Sequence, residues 1–157
     1  MASFSDLSIN KAGTGYRLLA SAAGLSSTTS AAFNITASIA TQLRFSIQPG
    51  SATEGSPLNP QPVVQVLDAQ GNLVSSYTGA VTLVLGNNPG NASLNGTITV
   101  NAVNGVANFS GLSISKSGLD YTLVASASAL NKATSLPFDV IAQTALSNKL
   151  YLPIVRK

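Results

Sequence analysis

Five carboxylates, Asp6, Glu54, Asp68, Asp120 and Asp139, are the only acidic side chains in this 157-residue chain, and it has neither histidine nor cysteine. Without histidine there is no imidazole base for a serine triad, and without cysteine there is no thiol nucleophile. Glycoside hydrolysis needs two convergent carboxylates, and the five here fall mostly in predicted turns with no pairing signal. Ser115 and Lys116 could be drawn as a Ser-Lys dyad, but adjacent residues of a strand face opposite sides, which favours solvated surface. Asp68-x-Gln70-x-Asn72 has the spacing of the start of a calcium loop, yet lacks the further carboxylates and distal glutamate of a six-oxygen site. A turn-capping role is the better reading. Zinc has no ligands here. Asn-x-Ser/Thr sequons at Asn34, Asn91, Asn95 and Asn108 are what chance gives in a chain this rich in Asn, Ser and Thr. The inventory predicts no enzyme, no cofactor and no metal.

Composition narrows the class further. The chain is 45% hydrophobic but only 8% charged, against about 25% charged in an ordinary soluble domain; Ser, Thr, Asn, Ala and Gly take the place of the charges. That balance suits secreted β-repeat proteins. The net charge of +3 comes from eight scattered basic residues, with no basic stripe, so no nucleic-acid surface is expected. No apolar run is long enough for a membrane span. Residues 17–24 imitate a signal peptide, but the same positions recur at 122–129 inside the chain, so both are read as strand.

That recurrence is the main organising feature. Residues 2–36 align without a gap on residues 107–141, with 17 of 35 positions identical. The shared set includes Phe4/Phe109, Leu7/Leu112, Ile9/Ile114, Lys11/Lys116, Gly13/Gly118, Tyr16/Tyr121, Leu18/Leu123 and Phe33/Phe138. A spacing of 105 residues is the size of one sandwich domain and too long for a solenoid coil. Between the copies, short β-patterned runs alternate with turn signals: Pro49-Gly50, Asp68-Ala-Gln-Gly-Asn72, Gly86-Asn-Asn-Pro-Gly90 and Asn104-Gly105. Residues 97–100 and 106–109 are predicted to pair as a hairpin across Asn104-Gly105. Seven or eight strands over some 100 residues predict an all-β, immunoglobulin-like β-sandwich. The expected divisions are a partial unit at 1–37, a complete sandwich at 42–141 and a strand-like tail at 142–157. Phe109, Tyr121 and Phe138 are expected to anchor the fold, with Tyr121 and Tyr16 as tyrosine corners.

The D-A-Q-G-N turn, the L-G-N-N-P-G cluster, the V-N-G-V-A-x-F run and the L-S-I-x-K-x-G-x-x-Y-x-L run resemble bacterial Ig-like surface repeats of the adhesin and invasin type. The resemblance covers nearly the whole chain, through residues that encode turns and core positions. It implies a structural or adhesive module outside the cell or on its surface, with no catalytic residues to carry over. A carbohydrate-binding sandwich is the alternative; it would need exposed aromatics, for which only Tyr77 and Tyr151 are available.

Both ends of the chain are out of phase with the repeat. Residues 2–36 correspond to the last strands of a sandwich and have one apolar face to cover. The link 36–42 spans at most about 20 Å, so this piece is not expected to replace its counterparts in the complete domain. In the tail, Leu150 and Leu152 fall on Phe45 and Ile47 at the same spacing, which reads as the first strand of another repeat; the tail also has the form of a sorting signal. Met1 falls on Val106, so a truncated start is one explanation of the N-terminal piece. Others are an array that continues in a longer parent protein and head-to-tail strand addition between copies, with Leu150, Leu152 and Ile154 of one copy meeting Phe4 and Phe33 of the next.

Overall fold

The computed structural model describes residues 1–143, and among them there are strands and turns but no helix. The expected interface residues Leu150, Leu152 and Ile154 and the aromatic Tyr151 lie outside the described residues.

The N-terminal unit contains β1 (Gly13–Tyr16), β2 (Leu19–Ala20), β3 (Thr28–Thr29) and β4 (Phe33–Ile35). β1 pairs with β4 and β2 with β3, all antiparallel. The sandwich follows with β5 (Gln42–Ile47), β6 (Ala52–Thr53), β7 (Val63–Leu67), β8 (Ala80–Leu85), β9 (Leu94–Asn95) and β10 (Thr99–Asn101). It is completed by β11 (Val106–Asn108), β12 (Ser113–Ile114), β13 (Gly118–Tyr121), β14 (Leu123–Ser126), β15 (Ala133–Thr134) and β16 (Phe138–Ile141). One sheet has the order β11-β7-β5 and the other β10-β8-β14-β15, while β13-β16-β6 and β9-β12 close the edges. The fold is therefore all-β and an immunoglobulin-like sandwich, as expected.

Period-2 alternation decides which side chains enter the core. Val64 and Val66 of β7, Val81 and Leu83 of β8, and Leu123 and Ala125 of β14 are fully buried, while their neighbours along each strand are less so. They pack with Leu43, Phe45, Leu58, Phe109, Leu112, Ile114, Tyr121 and Phe138 into one cluster. Each large aliphatic side chain removed from water contributes about 1.5–3 kcal/mol before chain entropy is counted.

The predicted hairpin across Asn104-Gly105 is half right. The turn forms, with reciprocal bonds between Val103 and Val106 and positive φ at both Asn104 (50°) and Gly105 (76°), which is the backbone of a type I′ turn. Its two arms do not pair with each other as strands. β10 pairs with β8 and β11 with β7, so the turn carries the chain from one sheet to the other. A local turn signal specifies reversal; the buried Ala102 and Ala107 on either side specify where the arms go.

β5 begins beside Asn131, through a parallel bridge at Gln42, and β6 ends beside Ile141, through parallel pairing at Thr53. The first and last strands thus run in the same direction. Residues 37–42 and 141–143 consequently lie at opposite ends of the sandwich.

The two copies of the repeat fold alike in detail. Gly13 faces Ile35 and Tyr16 faces Phe33 in β1–β4; Gly118 faces Val140 and Tyr121 faces Phe138 in β13–β16. The Tyr16 hydroxyl donates to the Lys11 carbonyl at 3.1 Å, and the Tyr121 hydroxyl to the Lys116 carbonyl at 2.9 Å. Both tyrosines are thus tyrosine corners. Ser30 Oγ receives the Leu18 amide at 3.0 Å just as Ser135 Oγ receives that of Leu123 at 2.9 Å.

Candidate functional site: an inter-unit joint and an open apolar face

The joint is built by the turn after β7. The Asp68 carboxylate is buried, with 1% of its surface exposed, and all its contacts are N–H donors. Oδ1 accepts from the backbone amides of Gln70 (3.0 Å) and Asn72 (2.8 Å), which close the turn. Oδ2 accepts from the Asn72 side-chain amide and from the backbone amide of Ser38, each at 3.0 Å. Ser38 belongs to the segment that links the two units, so one carboxylate shapes the turn and holds the link. The Gln42 side chain adds a bond to the Asp68 carbonyl at 2.7 Å, and the Thr41 amide one to the Leu67 carbonyl at 2.9 Å.

Asn72 then reaches the N-terminal unit. Its Oδ1 accepts from the Ala12 amide at 3.0 Å, and its Nδ2 donates to the Asn10 carbonyl at 3.0 Å. One side-chain amide thereby satisfies a donor and an acceptor of the segment that leads into β1, the pairing a neighbouring backbone would otherwise provide. In the second copy the position equivalent to Ala12 is Ser117, whose amide donates to Glu54 Oε2 at 3.1 Å. Asn72 takes the place on the N-terminal unit that Glu54 holds in the complete sandwich.

Burial alone would raise the Asp68 pKa, but the hydrogen bonds from Asn72, Ser38 and Gln70 outweigh it and hold the carboxyl below its ordinary value. Four donors converging on two oxygens suit an anion. The calcium-like spacing of Asp68, Gln70 and Asn72 is thus used for turn and link, and no group of three or more metal-ligating side chains occurs among the described residues.

Other candidate residues are placed as follows. Asp120 and Asp139 lie on the paired strands β13 and β16, and the Asp120 amide donates to Asp139 Oδ1 at 2.9 Å. The first copy makes the same bond between Gly15 and Asn34 at 3.0 Å. A neutral amide serves as well as a carboxylate there, so the position needs an acceptor and not a charge. Ser115 and Lys116 are exposed, and Ser115 Oγ accepts the Ser93 amide at 2.8 Å. The four sequon asparagines are exposed. Tyr77 is half-buried and packs on the core; it borders a groove formed with Ala37, Ile39, Ala40, Val74 and Ser76.

The second feature is the uncovered face of the N-terminal unit. Phe4 is 70% exposed, Leu7 64% and Leu18 45%, whereas their counterparts Phe109, Leu112 and Leu123 are 4%, 0% and 0% exposed. Phe33 is half-exposed and stacks on Tyr16 at 6.2 Å, as the buried Phe138 does on Tyr121. These side chains line an open groove. The sequence pattern singled out Phe4 and Phe33; it gave no warning of the Asp68–Ser38 and Asn72–Ala12 contacts, because half of each is a backbone amide.

No family model matches the chain, and no curated protein matches it. Solved structures do show similarity. A β-glucuronidase of Parabacteroides merdae matches at 16% identity and TM-score 0.46 over 69% of this chain and 14% of its own. The same enzyme with glycerol in its active site matches at 16% identity and 0.48 over 75% and 14%. A glycosyl hydrolase family 2 member from Bacteroides cellulosilyticus matches at 13% identity and 0.49 over 78% and 17%. The chain thus spans less than a fifth of these neighbours, and the likeness is one of fold.

Proposed function

We propose that the chain is a structural module of a linear β-sandwich series, a spacer or adhesive element displayed outside the cell. The observation that carries this reading is the joint. Asp68 and Asn72 fasten both the link and the preceding unit to one end of the sandwich, and the chain leaves from the other end. Repeats joined this way extend in one direction at a defined angle, which is what a stalk or spacer requires. Replacing Asn72 by alanine and Asp68 by asparagine tests it by small-angle X-ray scattering. The expected result is a broader distribution of inter-unit distances with the β-sheet circular dichroism unchanged; an unchanged distribution would sink the reading. For location, protease treatment of intact source cells is expected to release peptides of this chain.

A carbohydrate-binding sandwich is the second reading, supported by the groove that Tyr77 borders. A glycan-array signal that disappears in Tyr77→Ala would make it the leading reading.

A further inference from the structure

We infer that the sandwich contains a tension clamp, in which residues 41–54 and 131–141 lie side by side so that a pull along the chain loads their rungs in shear. The inference rests on the structural-module reading and names the device by which such a module bears load. The rungs keep one register. The Leu43 amide donates to the Asn131 carbonyl at 3.1 Å, and the Asn131 amide to the Thr41 carbonyl at 2.8 Å. Farther along, the Leu136 amide donates to Gln48 Oε1 at 3.0 Å and the Asp139 amide to Ser51 Oγ at 3.2 Å, each across 88 positions. Ala52 then faces Val140 and Thr53 faces Ile141, in parallel, and the Glu54 amide donates to the Ile141 carbonyl at 2.9 Å. The two segments thus stay in step from Gln42 beside Asn131 to Thr53 beside Ile141.

The side-chain rungs stand where backbone rungs cannot form. At this register Pro49 falls opposite Pro137, and proline has no amide hydrogen to give a ladder. Gln48 and Ser51 flank that gap and supply acceptors for the amides of Leu136 and Asp139, so the contact crosses it. Direction decides the rest. Tension enters the sandwich ahead of Thr41 and leaves after Ile141, at opposite ends of two segments that run the same way. The opposed pulls lie along the segments while the hydrogen bonds run between them, so the rungs share the load and fail together. A pull at one end of the pair meets one rung at a time. The same segments bury Leu43, Phe45, Phe138 and Val140, so sliding one past the other also draws core side chains toward water.

Single-molecule force spectroscopy on the full chain tests this. The sequence has no cysteine, so two introduced thiols define the direction of pull. Ile39→Cys with Gln143→Cys, both at exposed positions, loads the ladder in shear. Ser56→Cys with Gln143→Cys places both handles at the end where Thr53 meets Ile141 and peels it. Forced unfolding reads the barrier along the loaded direction, and the shear pair is expected to need about twice the force of the peeling pair or more. Adding Gln48→Ala and Ser51→Ala to the shear pair is expected to lower its force by about a third or more. Thr99→Ala, which removes an exposed hydroxyl contact between β8 and β10, is expected to leave that force unchanged. Equal forces in the two directions, or a loss with Thr99→Ala as large as with the alanine pair, would overturn the clamp. The comparison of directions keeps every side chain of the ladder, so it decides the matter even where the alanine pair fails to fold. The scattering test of the joint uses Asp68 and Asn72, so that reading stands or falls separately.

Discussion

Two residues of the repeat show how the same local structure acquires different energetic weight. Tyr121 is fully buried, and its hydroxyl bonds the Lys116 carbonyl; Tyr16 makes the equivalent bond while half-exposed. A hydrogen bond whose donor would otherwise be hydrated contributes little, whereas one made inside the core contributes about 0.5–1.5 kcal/mol. Tyr121→Phe is therefore expected to destabilise the sandwich by about 1 kcal/mol in urea unfolding, and Tyr16→Phe to leave that transition unmoved. Ala129 offers the reverse case. It holds φ 59°, where its counterpart Gly24 holds 77°. An L-residue with a Cβ pays about 1–2 kcal/mol for the left-handed region, and glycine's extra freedom in the unfolded chain returns about 0.4–1 kcal/mol of that. Ala129→Gly is expected to stabilise by roughly 0.5–1 kcal/mol, read as a higher urea midpoint with an unchanged slope.

Among elements, legibility followed the range of the interaction. Alternation at Leu43/Phe45, Val64/Val66 and Val81/Leu83 announces strands, and the matched Gly and Tyr positions announce a repeated β-unit, because those signals are local or periodic. The destinations of the arms around Asn104-Gly105 were not legible, since they depend on which sheet buries Ala102 and which buries Ala107. Nor was the joint: Asp68 and Asn72 read as a turn, and the amides of Ser38 and Ala12 have no signature in a sequence. The joint's pH response follows from its donors. The folded-state pKa of Asp68 is depressed, so its contribution is fully present above the ordinary carboxylate value of about 3.9 and is lost as pH falls through the lower folded value. Inter-unit distances measured by scattering are expected to stay constant from neutral pH down to about 5 and to broaden only in stronger acid. Asp68→Asn is expected to show the broad distribution at every pH, because an amide carbonyl cannot accept all four donors.

At the scale of the molecule, stability is divided unequally. The buried cluster draws all its members from residues 43–140, whereas in the N-terminal unit Phe4, Leu7, Leu18 and Leu19 are open to water, and its hydrogen bonds to the sandwich include those of Asn72. An isolated two-stranded sheet is marginal in water, and opening free energies follow buried apolar contact. Amide hydrogen exchange in dilute, monomeric solution is therefore expected to show two tiers. The amides of Val64, Val66, Val81, Leu83, Leu123 and Ala125 exchange only through global unfolding, at the free energy measured by urea. Those of Tyr16, Leu18, Ser30 and Phe33 exchange through a local opening that leaves the sandwich intact. The Asn72→Ala variant is expected to speed exchange at Ala12 and along β1 and β4 without changing the slow tier. Uniform protection across both units would show that the joint couples them into one cooperative body, and that Asn10, Ala12 and Asn72 carry more of the fold than their three hydrogen-bonding groups account for.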